Sequence, residues 1–172
     1  MFVKVNVTLT PETWIIAPLM SREQIMRWTV KGWIEPSIAK HLDRAFPRDS
    51  KGRAIMFKHW IESPIVKALK YLRENTRIGR NWQILDESGF PINYVVIPGR
   101  PLVYRRVIFA ENIQTMEVFE YIDGTFKINF VAQVPMKNYS RWERAFILAG
   151  RIGLMGRGGK GYGRFTVTLK KL

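Results

Sequence analysis

The sequence contains no cysteine, which excludes disulfides and thiolate metal sites and suits an intracellular chain. Its only histidines are His41 and His59, too few without cysteine to form a usual zinc site. No uninterrupted apolar run approaches the roughly 18 residues that a membrane span needs. The opening residues Phe2 to Val7 alternate like a strand and lack a signal core. Together these absences predict a cytoplasmic protein with no membrane partner. Acidic residues are scarce as well: 14 Asp and Glu stand against 28 Lys and Arg, a formal net charge of +14. An excess of that size concentrates polyanions, and binding to phosphates then gains from counterion release. Nucleic acid is therefore the expected partner. At 47% hydrophobic and 13% aromatic, the 172 residues hold enough apolar material for one core over 1–172, unlike a disordered basic tail.

Phe2 to Thr10 sets Val3, Val5, Val7 and Leu9 against polar neighbours, the pattern of a half-buried strand. Ser21 and Gln24 have capping-box spacing, and Gly32 closes a short helix carrying Ile25, Met26 and Val30. Residues 33–58 mix Trp33, Pro36, Pro47, Gly52 and many charges, which predicts an irregular or extended, thumb-like insertion. Ser63 reads as the N-cap of the next helix, with Pro64 at its first position and Ile65, Ala68, Leu69 and Leu72 as its buried stripe. Strand-like runs follow at 92–97 and 102–109. Residues 115–134 read as a hairpin about Asp123-Gly124. Ser140 and Glu143 have capping-box spacing ahead of a helix carrying Phe146, Ile147 and Ala149, and Phe165 to Leu169 makes a closing strand. Without its excursions the order is strand, helix, strand, strand, helix, strand. That order predicts an α+β, ferredoxin-like (RRM-like) βαββαβ domain, an antiparallel sheet backed by two core helices.

Residues 150–164 carry seven glycines: Gly150, Gly153, Gly156, Gly158, Gly159, Gly161 and Gly163. Successive amides in such a stretch can form an anion-binding nest. Arg157, Lys160 and Arg164 add cations beside those amides, and Tyr162 offers a face for base stacking. The stretch is not a Walker loop, because Lys160 is followed by glycine instead of Ser or Thr. A helix-to-strand connection alone would account for two or three of these glycines. Their number and the interleaved cations point to a grip on RNA phosphate.

This combination resembles the RAMP superfamily of CRISPR-associated proteins, whose members have a ferredoxin-like fold and a glycine-rich loop between the second helix and the last strand. Gly156 to Phe165 is similar to that loop. Asp43-Arg-Ala-Phe-Pro-Arg48-Asp49-Ser-Lys-Gly52-Arg53 is similar to a segment of the type III effector backbone subunits. In them an aspartate on a loop facing the target RNA precedes an Arg-Asp pair. The resemblance makes Asp43 the counterpart of the cleaving aspartate and Arg48-Asp49 that of the paired residues. It departs at Trp60 to Pro64, where the family has an Ile-Pro-Gly-Ser-Ser-type stretch. It implies CRISPR RNA or target RNA as ligand, and other Cas subunits or copies of the chain as partners.

Binding RNA needs no cofactor. Cleavage could use the ribose 2′-OH as internal nucleophile, with Asp43 holding Mg²⁺ or positioning that hydroxyl. Asp43 reads equally as a solvated carboxylate or a salt-bridge partner of Lys40, Arg44 or Arg48, and Asp49 as a turn residue beside Gly52. His41 or His59 would be the general base if the chain were a stand-alone precursor-RNA endoribonuclease. A non-enzymatic viral decoy of a backbone subunit is a further reading. Lys67, Lys70 and Arg73 recur at threefold spacing, and with Arg48, Lys51, Arg53 and Lys58 they predict a continuous basic track. Trp14, Trp28, Trp33, Phe57 and Trp60 read mainly as core or interface, with one of them available to stack on a base.

Overall fold

A computed structural model describes residues 1–154 and 161–172 of the chain. Strand β1 (Phe2–Pro11) lies between β10 (Ile128–Pro135) and β11 (Phe165–Lys171), and β10 pairs in turn with β5 (Gln83–Leu85), which pairs with β6 (Pro91–Ile92). All of these pairings are antiparallel. The alternation read from the sequence is the one the strand uses: Val5, Val7 and Leu9 point into the core, and Asn6 is exposed. Helices α3 (Lys58–Tyr71) and α4 (Tyr139–Ile152) cover the inward face, burying Ile61, Ile65, Ala68 and Leu69 from one and Trp142, Ala145, Phe146 and Ala149 from the other. The result is a mixed α and β architecture with a largely antiparallel framework. Along the chain its frame runs β1, α3, β5, β10, α4, β11.

The helix starts differ from the sequence expectation. Helix α3 begins at Lys58, so Ser63 and Pro64 lie inside it and Ser63 caps nothing. Burial of Ile61 at 0% exposure extends the apolar stripe back beyond Pro64, and a Lys58–Glu62 ion pair of 2.6 Å supports the added turn. Together these outweigh the hydrogen bond that an internal proline forgoes. In α4 the Ser140–Glu143 box does not form. Glu143 instead accepts a hydrogen bond from the Tyr139 hydroxyl, and burial together with that bond pushes the Tyr139 pKa up to about 12. Ile147 faces solvent. At α1 (Arg22–Val30) the Ser21 hydroxyl does accept from Gln24 N at 3.2 Å, but the inward residues are Ile25 and Trp28, while Met26 and Val30 are exposed. Helix α3 ends with Arg73 in the left-handed region at φ 55°, where Arg73 N donates to Lys70 O and Glu74 N to Leu69 O.

The expected hairpin about Asp123-Gly124 is absent. Strand β9 (Ile113–Ile122) pairs with β8 (Leu102–Ala110) in register from Ala110↔Ile113 to Leu102↔Tyr121. The turn between them is Glu111-Asn112, both at positive φ, the conformation that continues strand twist through a two-residue loop. Asp123 Oδ1 accepts from Thr125 N and Thr125 Oγ1, and this tight turn passes the chain from β9 into the other sheet.

Residues 33–58 are partly regular. They contain α2 (Pro36–Ala39), β3 (Leu42–Arg44) and β4 (Ile55–Phe57), the last pairing with β7 (Tyr94–Val96). Strand β9 also pairs with β2 (Ile15–Ile16) and, in parallel, with β3. Over this second sheet α1 and α2 close a separate small core of Ile25, Trp28, Ile34, Ile38, Ala39, Leu42, Ala45 and Val118.

Arg48 and Glu120 fasten this layer. Their side chains are 4% and 5% exposed, and the guanidinium meets both carboxylate oxygens, Nη2–Oε2 at 2.6 Å and Nη1–Oε1 at 3.0 Å. Phe46 N donates to Glu120 Oε1, and Arg48 Nη1 also donates to Phe46 O. Removing one member strands a buried charge. Glu120→Ala is expected to lower stability by about 3–5 kcal/mol in chemical denaturation, and Arg48→Met with Glu120→Leu to recover much of that loss. Equal losses for the single and double variants would mean that packing, not charge, is what matters here.

Candidate nucleic-acid interface

The described part of the glycine-rich segment closes tightly on the fold. A Cβ on Gly150 would lie 2.1 Å from Phe165 O, so α4 meets β11 backbone to backbone only because that side chain is missing. Gly163, at φ 79°, donates from N to Trp14 O and accepts at O from Leu154 N, each at 2.8 Å. Arg164 N donates to Thr13 Oγ1, and Arg164 O accepts from Glu12 N and Thr13 N. Gly161 and Tyr162 are exposed. Gly156, Arg157, Gly158, Gly159 and Lys160 lie outside the described residues.

The structure divides the expected basic track. Arg48 is spent on Glu120 and offers no face to a phosphate. Lys58 is half-buried between Glu62 and the Trp82 ring, 4.7 Å from its centroid. Lys51 and Arg53 are exposed and border a groove of about 610 Å³ whose other walls include Asn6, Asn129, Asp86 and Tyr94. Asn6 marks this as the helix-free face of the large sheet. Lys67 and Lys70 are exposed on α3, across the sheet from that groove, and Arg73 is exposed just past the helix end. The seven cations therefore do not form one continuous strip.

Asp43 is the extra residue of a bulge in β3: Leu42 is opposite Val118 and Arg44 opposite Phe119, so β3 takes two steps where β9 takes one. Its side chain is exposed, and among the described residues it forms no ion pair with Lys40, Arg44 or Arg48. No group of three His, Asp or Glu side chains gathers among the described residues to hold a metal. Asp43 therefore has no companion ligands for Mg²⁺ among them. His41 is exposed, with its backbone N donating to Ile38 O. His59 is exposed on the first turn of α3, its ring stacked on Phe57 at 5.7 Å and edge-on to Trp60.

One grouping lies beyond what the sequence predicts. Trp14, Tyr104 and Tyr121 meet on the β8–β9 sheet directly beside Gly163. The alternation of Leu102, Tyr104 and Arg106 is the available signal, but the partners lie far apart in sequence. Beyond these rings the hairpin projects Val107, Phe109, Ile113 and Met116 into solvent. Among the described residues no helix is long and apolar enough to cross a membrane.

No protein-family model and no curated protein matches the sequence. The fold, however, is shared with a solved chain from a cryo-EM structure of the type III-B Cmr-β complex bound to cognate target RNA. The TM-score is 0.63 at 10% identity, over 99% of this chain and 61% of that one. This chain thus spans under two thirds of the length of that neighbour, and the likeness establishes a common fold.

The turn that presents Lys51 and Arg53 is organised by Asp49. Its Oδ1 accepts from Lys51 N and Arg53 N, and Oδ2 accepts from Arg53 Nε at 2.7 Å. Burial works against ionisation of this carboxyl, but the bonds from Arg53 and Lys51 outweigh it and hold the pKa below its ordinary 3.8. A depressed carboxyl stabilises the fold above its unfolded pKa and loses that contribution as pH falls through the native value. The stability difference between the parent and Asp49→Asn is expected to stay level from neutral pH to about pH 4 and to shrink below it. Urea midpoints measured across that range check this. A difference that widened on acidification would contradict the assignment.

Proposed function

We propose that the chain is a small RNA-binding subunit of RAMP type. It would form one domain over 1–172, hold CRISPR RNA or target RNA, and assemble with other Cas subunits or copies of itself. The observation that carries this reading is a fold shared along 99% of the chain with a subunit of an RNA-bound type III-B complex, in a protein of net charge +14. The strand order β11-β1-β10-β5, with α3 and α4 on one face, supports the ferredoxin-like form of that fold. In this reading the glycine-rich segment, with Arg157, Lys160 and Arg164, grips the phosphates, and Lys51 and Arg53 extend the positive field along the groove. Lys67, Lys70 and Arg73 attract RNA on the helix side. The projecting β8–β9 hairpin takes the thumb role that composition suggests for 33–58. A cytoplasmic location follows from the same assignment.

Cleavage of target RNA is a second element of the proposal. Asp43 is exposed on a bulged strand with its carboxylate unpaired among the described residues, so it can reach a bound ribose. Holding the 2′-OH in line with the adjacent phosphorus supplies much of the acceleration in such a reaction. An uncut RNA in the presence of divalent ions, or cutting that survives Asp43→Ala, would remove this element and leave the binding role intact.

The binding role is tested by measuring single-stranded RNA affinity across a salt series. Replacing Arg157, Lys160 and Arg164 together by Ala is expected to weaken binding for every RNA sequence. It should also flatten the slope of log affinity against log salt by about 0.7 for each phosphate no longer neutralised. The pair Lys51→Ala and Arg53→Ala should act in the same direction. An unchanged slope in both would overturn the phosphate-gripping assignment. Light scattering with RNAs of increasing length distinguishes assembly of many copies from a single complex.

A further inference from the structure

We propose that Trp14, Tyr104 and Tyr121 form a stacking platform for an unpaired base of the strand whose backbone the glycine-rich segment holds. The proposal rests on the RNA-binding reading above and names a subsite within it. Trp14 is 36% exposed and stacks on Tyr121 with centroids 4.1 Å apart at 23°, while its edge meets Tyr104 at 5.8 Å. Tyr104 in turn stacks at 4.8 Å on Phe119, which is 8% exposed and anchors the group from beneath. The pairing register explains why they share a face. Leu102↔Tyr121 and Tyr104↔Phe119 are neighbouring pairs of the same parity on β8–β9, and Ile16↔Tyr121 brings Trp14 alongside through β2. Arg106 is the next residue of that parity on β8, and it is exposed.

Two features give this patch its ligand. First, the rings are half-exposed and already pre-stacked, so a flat apolar molecule can be added to the pile without rearranging it. Second, the carbonyl of Trp14 accepts from Gly163 N and the hydroxyl of Thr13 accepts from Arg164 N, so the platform is bonded directly to the end of the glycine-rich segment. A ligand that engages both must carry a planar aromatic face and a neighbouring anionic group, which is the chemistry of a nucleotide in a single strand. A base held within a duplex has no free face to offer. Because every base has a π-face, the platform tolerates any sequence.

The test compares an oligoadenylate with an abasic ribose-phosphate strand of the same length. The parent protein is expected to bind the oligoadenylate more tightly, and Trp14→Leu to reduce that preference about tenfold while leaving abasic affinity unchanged. Tyr104→Leu, which leaves the Trp14–Tyr121 pair in place, gives an independent reading should Trp14→Leu fold poorly, and Tyr104→Phe is expected to retain the preference. Equal affinity of the parent for both strands, or a preference unchanged in both leucine variants, would overturn the platform while RNA binding stood. Failure of both strands to bind the parent would remove the RNA-binding reading itself, and the platform with it.

Discussion

The Arg48 guanidinium and the Glu120 carboxylate meet in the interior from positions 72 residues apart, and the rest of the second layer is arranged around that contact. Burying such a pair is tolerable only when the remaining donors and acceptors are also answered. Here Phe46 answers twice, with its N–H to the carboxylate and its carbonyl to the guanidinium. The stretch 42–48 is thereby locked against β9, with Arg48 also 5.8 Å from the centroid of the Trp28 ring. Asp43 on its bulge and the Asp49 turn that lifts Lys51 and Arg53 are both carried on that locked stretch. The same strand, β9, contributes Phe119 and Tyr121 to the aromatic group. One ion pair thus fixes the relative positions of the open carboxylate, the basic turn and the rings.

What could be read in advance follows from how local each signal is. The two-residue alternation of Val5, Val7 and Leu9 is enough to orient β1, and Ser21 caps α1 through a bond only three residues long. Asp123-Gly124 misled because it marks a turn without saying which strands the turn joins. Pairing was decided instead by Glu111-Asn112, where a glutamate adopts a backbone conformation that its side chain disfavours. Ser63-Pro64 misled for a related reason: the burial of Ile61 outweighed a good local start signal. In the sequence β1, α4 and β11 are legible near their places, but β9 reads as the partner of β10 and β5 is passed over, since its pairing with β10 joins residues far apart in the chain.

The candidate site was legible to a smaller degree. Charge excess pointed to a polyanion, but which cations remain open depends on where the acids fall. Arg48 is consumed by a distant Glu120, which no window of sequence displays, and the Lys58–Glu62 pair becomes an i,i+4 contact only because α3 starts five residues before Ser63. The glycines divide in the same way. Gly150 and Gly163 are required by close approaches to Phe165 and Leu154, so part of the glycine excess reflects packing. The aromatic platform was hidden because its rings come from three separate strands or strand ends.

The end of α3 sets a cation where backbone geometry favours glycine. A left-handed conformation costs an L-residue about 1–2 kcal/mol, and Arg73 bears that cost at φ 55°. The last carbonyls of a helix carry roughly half a negative charge between them, and a guanidinium at this corner opposes that end of the macrodipole. The helix therefore gives up some thermodynamic stability at its terminus in exchange for a fixed positive charge there. A single change to glycine would relieve that backbone cost and remove the charge.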